Sequence, residues 1–119
     1  MAMPIAGSPF SLERFRVLTY NVHRCLGTDR RYSPDRIAEV IGACAADVVA
    51  LQELDAGRKR SGGSHQAEQI ASTLGMASLH YHAPVEREGE RYGHALMTRA
   101  PSRLIREGLL PGRSAWRQL

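Results

Sequence analysis

Two apolar segments flank a helical pattern near the start of the chain, and this arrangement limits the possible folds more than any other feature. FRVLTYN at residues 15–21 and DVVALQE at residues 47–53 are rich in strand-favouring residues. Between them, SPDRIAEVIGACAA at residues 33–46 repeats apolar residues at helical spacing, with Ser33 placed as the cap and Pro34 at the first helical position. A strand, a helix and a strand within about 40 residues predict a βαβ unit with parallel strands.

A second helical pattern follows, and the chain is long enough for a single domain. HQAEQIASTLG at residues 65–75 repeats apolar residues at helical spacing, with Ser64 placed as its cap and Gly75 at its end. At 119 residues, the chain can bury about two thirds of its unfolded surface. We therefore expect residues 1–14, which lack periodicity, to be a flexible N-terminal tail and residues 15–119 to form one α/β unit.

Beyond the second helix, apolar and polar residues alternate, which is typical of β-strands. The alternation predicts strands at ASLHYHAPVE (77–86), HALMTRA (94–100) and SRLIREGLL (102–110), a polar turn at REGERYG (87–93), and the start of a further strand at RSAWRQL (113–119). No apolar run approaches the roughly 18 residues of a membrane span, and the N-terminal residues lack a signal-peptide pattern. We therefore expect a cytoplasmic protein.

Polar residues follow both strands of the βαβ unit where each strand is predicted to end. Asn21 ends the first strand and Glu53 ends the second. Because the strands are parallel, their carboxyl ends share one edge of the sheet, where ligands of open α/β sheets bind. A carboxylate beside an amide suits Mg²⁺, which prefers oxygen ligands and commonly takes only one or two carboxylates. The alternative for Glu53 is a solvated acid at the end of a strand.

Basic residues and histidines supply further candidates. Lys59 is the only lysine among 16 basic residues, and guanidinium groups suit partners that carry phosphate. Arg58, Lys59 and Arg60 lie on the loop after the second strand, where they either bind phosphate or form a solvated basic loop. His80 and His82 place two imidazoles on one face of a strand, but without a third ligand we expect no native metal there.

Three segments resemble ordered motifs of the endonuclease/exonuclease/phosphatase superfamily, which has the deoxyribonuclease I-like fold: LTYNVH (18–23), DVVALQELD (47–55) and YGHALMTRAP (92–101). The resemblance implies an α/β fold of the four-layer α+β family, in which this chain forms the N-terminal half of a β-sandwich with flanking helices. It also implies that Glu53 is the principal ligand of Mg²⁺, with Mn²⁺ as an alternative. Asn21 would be a catalytic residue and further ligand beside the metal and the phosphate, and a metal-assisted water would cleave the phosphoester.

Three other residues are assigned to substrate binding. Arg60, followed by Ser61, resembles an RS pair found after the glutamate in bacterial relatives. His94 stands where the third motif usually has asparagine, and its imidazole could donate a hydrogen bond to phosphate with a charge that depends on pH. His23 comes two residues after Asn21 and could reach the same edge, although a loop histidine without a role is the alternative.

The superfamily's later motifs, N-T-H, G-D-x-N and S-D-H, do not occur in this sequence. We therefore expect the C-terminal half of the domain to be absent and the chain to be weakly active or inactive. The leading hypothesis is a Mg²⁺-dependent phosphoester hydrolase whose substrate is nucleic acid, a phospholipid headgroup or a small phosphoester. The alternative is a non-catalytic, truncated remnant that forms a homodimer or binds a partner half through an exposed sheet face. A third hypothesis is a basic module that binds nucleic acid.

Overall fold

The computed structural model describes residues 14–111. These residues form one sheet and two helices, in the chain order β1, α1, β2, α2, β3, β4. The strands are β1 (Val17–Asn21), β2 (Val48–Ala56), β3 (Ser78–Arg87) and β4 (Glu90–Thr98), and the helices are α1 (Pro34–Cys44) and α2 (Gln66–Leu74). The tail expected at residues 1–14 falls outside the described residues except for Arg14, and the strand expected at residues 113–119 falls wholly outside them.

The first two strands and α1 form the βαβ unit that the sequence predicts. β1 pairs in parallel with β2, with Asn21 opposite Gln52. The helix begins where expected, because the backbone N of Arg36 donates to Oγ of Ser33 at 3.2 Å and Pro34 opens the first turn. The sheet has the order β1-β2-β4-β3, in which β4 is antiparallel to both of its neighbours. β1 and β3 are therefore the edge strands of the sheet that the described residues form.

α2 begins one residue later than predicted. Its cap is His65, whose Nδ1 accepts a hydrogen bond from the backbone N of Glu68 at 3.2 Å. The prediction of Ser64 as the cap is wrong, because Ser64 belongs to the preceding loop: its carbonyl oxygen accepts from the backbone N of Gly57 at 3.1 Å. The predicted end at Gly75 is confirmed, since this residue closes the helix in the left-handed conformation.

The hairpin of β3 and β4 is tighter than the predicted polar turn at residues 87–93. Only Glu88 and Gly89 connect the two strands. Their φ angles of 53° and 80° are both positive, which is typical of the two-residue type I′ turn that matches the twist of a hairpin. The polar residues that follow therefore belong to β4, which starts at Glu90.

The strand predicted at residues 102–110 is wrong. None of the described strands pairs with this segment, and its side chains are exposed. The chain changes direction as it leaves β4, where the backbone N of Ser102 donates to Oγ of Ser78 at 2.8 Å and its hydroxyl lies 2.6 Å from Oγ1 of Thr98. The alternation of residue types alone does not make this segment a strand, because no described strand forms backbone hydrogen bonds with it.

Both helices pack against one face of the sheet. The most buried core residues, each at most 1% exposed, include Ile41 and Ile70 from the helices and Val49, Leu51 and Met97 from the sheet. The opposite face is here called the open face, and its residues include Val17, Thr19, Ala50, Gln52, His80, His82, His94 and Leu96. Neither helix of residues 14–111 has the length and apolar character to cross a membrane.

Candidate functional site

The end of β1 and the neighbouring part of β2 bring three of the predicted site residues together. Asn21 ends β1, and its Nδ2 donates a hydrogen bond to Oε2 of Glu53. Its Oδ1 accepts from the backbone N of His23 at 3.0 Å, which fixes the orientation of the amide. His23 Nδ1 lies 3.9 Å from Oε1 of Glu53, and 59% of the His23 side chain is exposed. Asn21, His23 and Glu53 are here called the edge cluster.

Glu53 does not end β2, contrary to the prediction. The strand continues to Ala56, and its pairing with β4 shifts between Leu51 and Leu54, so that Gln52 and Glu53 form a bulge. The φ angle of Glu53 is 62°, a left-handed conformation that costs a residue other than glycine roughly 1 kcal/mol or more. A bulge interrupts the alternation of side chains along a strand. It allows the carboxylate to meet Asn21 from the middle of β2.

A left-handed turn follows β1 after Val22. His23, Arg24 and Cys25 have φ angles of 49°, 48° and 59°, which L-residues rarely adopt in succession. The side chain of Gln66 holds this turn, because its Nε2 donates to the carbonyl oxygen of Arg24 at 2.7 Å. Its Oε1 accepts from the backbone N of Asp55 at 2.8 Å. The fully buried Gln66 therefore ties the turn to β2 just beyond the bulge.

Hydrogen-bond donors surround the carboxylate of Glu53. The hydroxyl of Tyr92 donates to Oε1 at 2.7 Å, while Asn21 donates to Oε2. The hydrogen bond from Asn21 lowers the pKa of Glu53 the most, and the hydrogen bond from Tyr92 has the next largest effect. The charges of His23 and Arg24 lower this pKa by smaller amounts. Burial, and then the bond to Glu53, raise the pKa of Tyr92. The carboxylate is therefore held ionised next to a neutral phenol.

Arg60 reaches this region through Asp55 and Tyr92. Its Nε and Nη2 donate to the two oxygens of Asp55 at 2.9 and 2.7 Å, and Oγ of Ser61 donates to Asp55 at 2.9 Å. The central carbon of its guanidinium lies 5.1 Å from the centre of the Tyr92 ring. Arg60 is thus close to the edge cluster, with two of its donors already engaged by a carboxylate that is 0% exposed.

His94 lies on the open face, opposite the bulge of β2. Its ring centre is 5.5 Å from that of His82, and His82 Nδ1 is 3.4 Å from Oε2 of Glu107. Burial, and then the neighbouring His82, lower the pKa of His94. His80 does not join this pair, because its Nε2 is hydrogen-bonded to Oγ of Ser102 at 3.0 Å. The histidines border a cavity of about 530 Å³ that the 101–110 segment also lines.

Sequence reasoning missed three residues that support the edge cluster. Asp55 and Tyr92 stand within the segments that carry the resemblance, so their positions could have marked them, although nothing in the sequence distinguishes a buried acid from a solvated one. Gln66 gave no signal, because a glutamine in the first turn of a helix normally faces solvent. Its role depends on two backbone groups that only the fold brings together.

The edge cluster suits a hard cation with few protein ligands. Among residues 14–111 there is no group of three or more histidine, cysteine, aspartate or glutamate side chains placed to hold a metal. A closed zinc site therefore does not fit. Mg²⁺ keeps several waters and often takes a single carboxylate, and the ionised Glu53, with 30% of its side chain exposed, meets that requirement. The oxygen of Asn21 already accepts one hydrogen bond, so Glu53 is the stronger of the two predicted ligands.

Comparisons with known proteins agree with this architecture. The model of the Endonuclease/Exonuclease/phosphatase family matches residues 18–112. A solved endonuclease/exonuclease/phosphatase from Beutenbergia cavernae is 26% identical, with a TM-score of 0.59 over 82% of this chain. A structure described as an endonuclease/exonuclease/phosphatase family protein from Leptotrichia buccalis is 23% identical, with a TM-score of 0.55 over 76% of this chain. No curated protein matches the chain significantly.

The chain is shorter than these structural neighbours. It spans 27% of the length of the Beutenbergia protein and 40% of the length of the Leptotrichia protein. The matches and the mixed sheet with its helices confirm the predicted α/β fold class.

Proposed function

Because the chain belongs to the endonuclease/exonuclease/phosphatase family, as its three motifs indicate, we propose that it carries the metal-binding part of a Mg²⁺-dependent phosphoester hydrolase. The observation that carries the proposal is the ionised carboxylate of Glu53, held by Asn21 and Tyr92 at the end of the parallel strand pair. A metal ion at this place would polarise a phosphoryl oxygen and neutralise charge on the phosphate. The substrate is a phosphoester, and nucleic acid, a phospholipid headgroup and a small phosphoester all remain candidates.

The roles of the individual residues follow from their contacts. Glu53 binds Mg²⁺ or Mn²⁺, and Asn21 orients that carboxylate through its amide. His23 is the substrate-binding candidate nearest to Glu53, and the exposure of its side chain allows a hydrogen bond to phosphate. His94 lies opposite the bulge, next to His82, where it borders the cavity on the open face. Arg60 stands behind Tyr92, so a contact with phosphate would have to use the donors that Asp55 leaves unoccupied.

Metal binding is the most direct test, because the chain spans less than half of its structural neighbours and hydrolysis depends on the whole enzyme. We expect one Mn²⁺ ion to bind per chain, measured by electron paramagnetic resonance, with Mg²⁺ in competition. Glu53→Gln keeps the shape of the side chain but removes the charge. It should weaken Mn²⁺ binding by about tenfold or more, since even the outer partners of metal ligands contribute 10–100-fold.

Glu39→Gln is the matched control, because it removes the same charge from an exposed position on α1. This variant should bind Mn²⁺ like the wild type. Hydrolysis of an aryl phosphodiester in Mg²⁺, with and without Glu53→Ala, extends the test to turnover. Equal Mn²⁺ affinities in the wild type and in Glu53→Gln would exclude the proposed site, and so would hydrolysis by the wild type that Glu53→Ala leaves equally fast.

A second candidate function is association through the open face, which we propose brings two copies of the chain together. Val17 is 63% exposed and Leu96 is 42% exposed on this face, and the edge strand β1 adjoins it. Exposed apolar surface beside an unpaired strand edge favours association. Light scattering at micromolar concentration should give the mass of a dimer. A monomer at that concentration would count decisively against the idea.

A further inference from the structure

Asp55 is a buried acid to which the proposed function gives no task. Its side chain is 0% exposed, and it accepts three hydrogen bonds, two from Arg60 and one from Ser61. Burying an ion pair is often no better for stability than burying apolar side chains of similar volume. An ion pair at this place, two residues beyond Glu53, therefore points to a requirement of geometry rather than of stability.

The geometry leads from this ion pair to Glu53. The two hydrogen bonds that Arg60 donates to Asp55 set the plane of its guanidinium. The central carbon of this guanidinium lies 5.1 Å from the centre of the Tyr92 ring. Tyr92 is only 3% exposed, so its ring has little freedom. Its hydroxyl donates to Oε1 of Glu53 at 2.7 Å. Each contact fixes the next group along the path.

We propose that Asp55, Arg60 and Ser61 form a positioning unit that acts on Glu53 through Tyr92. Ser61 holds Asp55, Asp55 holds the guanidinium of Arg60 against the ring of Tyr92, and the ring places its hydroxyl on Oε1 of Glu53. Asn21 holds the other oxygen, so the carboxylate cannot rotate. The inference rests on the proposed function in one respect, namely that Glu53 is a metal ligand. It assigns Arg60 to the orientation of that ligand.

The physical benefit of such a unit is preorganisation. A glutamate side chain loses rotamer freedom when it binds a metal ion, and this loss reduces the binding free energy. A carboxylate that is already fixed in the free protein avoids most of that cost. Partners behind a metal ligand typically change metal affinity by 10–100-fold. Arg60 suits this task better than lysine, because its planar fork binds both oxygens of Asp55 and its flat face packs on an aromatic ring.

The substitution that isolates this effect is Arg60→Lys. Lysine keeps the positive charge beside Asp55, but it cannot form the paired hydrogen bonds to Asp55 or place a planar group on the Tyr92 ring. It should weaken Mn²⁺ binding by about tenfold. Arg91→Lys is the matched control, because the guanidinium of Arg91 lies 5.4 Å from the centre of the Tyr81 ring, a tyrosine that donates to a backbone carbonyl and not to Glu53. This control should bind Mn²⁺ as tightly as the wild type.

Tyr92→Phe completes a double-mutant cycle. It removes one oxygen atom and leaves the ring in place, so it tests the hydrogen bond without opening a cavity. If Arg60 acts through Tyr92, the double variant Arg60→Lys/Tyr92→Phe should bind Mn²⁺ as Tyr92→Phe does, without a further loss. Additive losses would mean that Arg60 affects the site by another route, and they would overturn the proposal.

A readout without metal separates this inference from the proposed function. The ¹³Cζ chemical shift of tyrosine reports the hydrogen bond of its hydroxyl, and Tyr92→Phe identifies the resonance of Tyr92. Arg60→Lys should move this resonance in the metal-free protein, and Arg91→Lys should leave it in place. If the resonance of Tyr92 stays unchanged in Arg60→Lys, the positioning unit does not exist. If it moves while Glu53→Gln fails to alter Mn²⁺ binding, the unit holds Glu53 as inferred and the proposed metal site is wrong.

Discussion

Glu53 has an unfavourable backbone conformation and a carboxylate whose two oxygens each accept one hydrogen bond. A left-handed φ of 62° is expected for glycine, yet glycine could not supply the carboxylate that Asn21 and Tyr92 hold. The neighbouring turn at His23–Cys25 has the same left-handed backbone. Such conformations persist only when surrounding contacts impose them, and they concentrate at functional sites. Stability at this end of the sheet is therefore reduced in favour of a defined arrangement of polar groups.

His65 supports a prediction about pH. It caps α2 through Nδ1, and a ring that is protonated on both nitrogens can no longer accept the hydrogen bond from Glu68. Burial lowers the pKa of His65 below the usual value of 6.5. The neutral ring is thus favoured in the folded protein, and its contribution to stability is complete above pH 6.5. That contribution is lost as the pH falls below 6.5 through the lower pKa of the folded state.

His65→Asn should remove this pH dependence, because asparagine caps a helix without titrating. As the pH falls from 7.5 to 5, the free energy of unfolding of His65→Asn should decrease less than that of the wild type, as measured by urea denaturation. His65→Ala should cost about 1 kcal/mol at pH 7.5, whereas Ser64→Ala should cost little. Equal costs of the two alanine substitutions would contradict the assignment of His65 as the cap.

The regular elements could be predicted from the sequence, whereas their irregularities could not. The βαβ unit follows from Ser33, Pro34 and the apolar spacing after them, because each of these is a local signal. The bulge at Glu53 has no such signal, since the residue types there fit a regular strand equally well and the shift arises from pairing with β4. All three residues of the edge cluster could be placed at one edge from the sequence, Asn21 and Glu53 because their strands are parallel and His23 because it follows Asn21 by two residues. Tyr92 comes from an antiparallel strand that the βαβ argument does not reach.

The irregular pairing of β3 with β4 gives Gly93 a specific role. A Cβ at this position would lie 2.0 Å from the carbonyl oxygen of His82 and 2.6 Å from Cα of Ala83. The two strands come this close where their register shifts, between His82 and Val85. Gly93→Ala must therefore separate the strands, and we expect it to lower the free energy of unfolding by about 3 kcal/mol, at the upper end of overpacking costs.

The control for this prediction is Gly42→Ala in α1. A Cβ there would lie 3.5 Å from a methyl group of Leu74, an ordinary contact, and alanine is a better helix former than glycine. Gly42→Ala should raise the free energy of unfolding by up to about 1 kcal/mol. Thermal unfolding of both variants checks the opposite signs, and a stable Gly93→Ala protein would mean that β3 and β4 do not approach as closely as described.

At the scale of the whole molecule, the two faces of the sheet differ sharply. The face covered by α1 and α2 contains the most buried side chains, while the open face meets only the irregular segment 101–110 within the described part of the chain. Leu104, Leu109 and Leu110 in that segment are all more than half exposed, so it covers the sheet incompletely. The open face therefore retains apolar surface that a second copy of the chain could bury.

Two valines provide a matched test of this association. Val17 lies on the open face and is 63% exposed, and Val40 lies on α1 and is 53% exposed. In a symmetric dimer the same residue of both copies lies in the interface, so one substitution removes two valine contacts. At about 1.5 kcal/mol for each contact, the loss weakens dimerisation by roughly 100-fold. Val17→Asp should therefore shift the protein to monomer in sedimentation velocity at micromolar concentration, because the aspartate also places a charge on an edge strand. Val40→Asp should remain a dimer, and a dimer that survives Val17→Asp unchanged would place the contact elsewhere on the molecule.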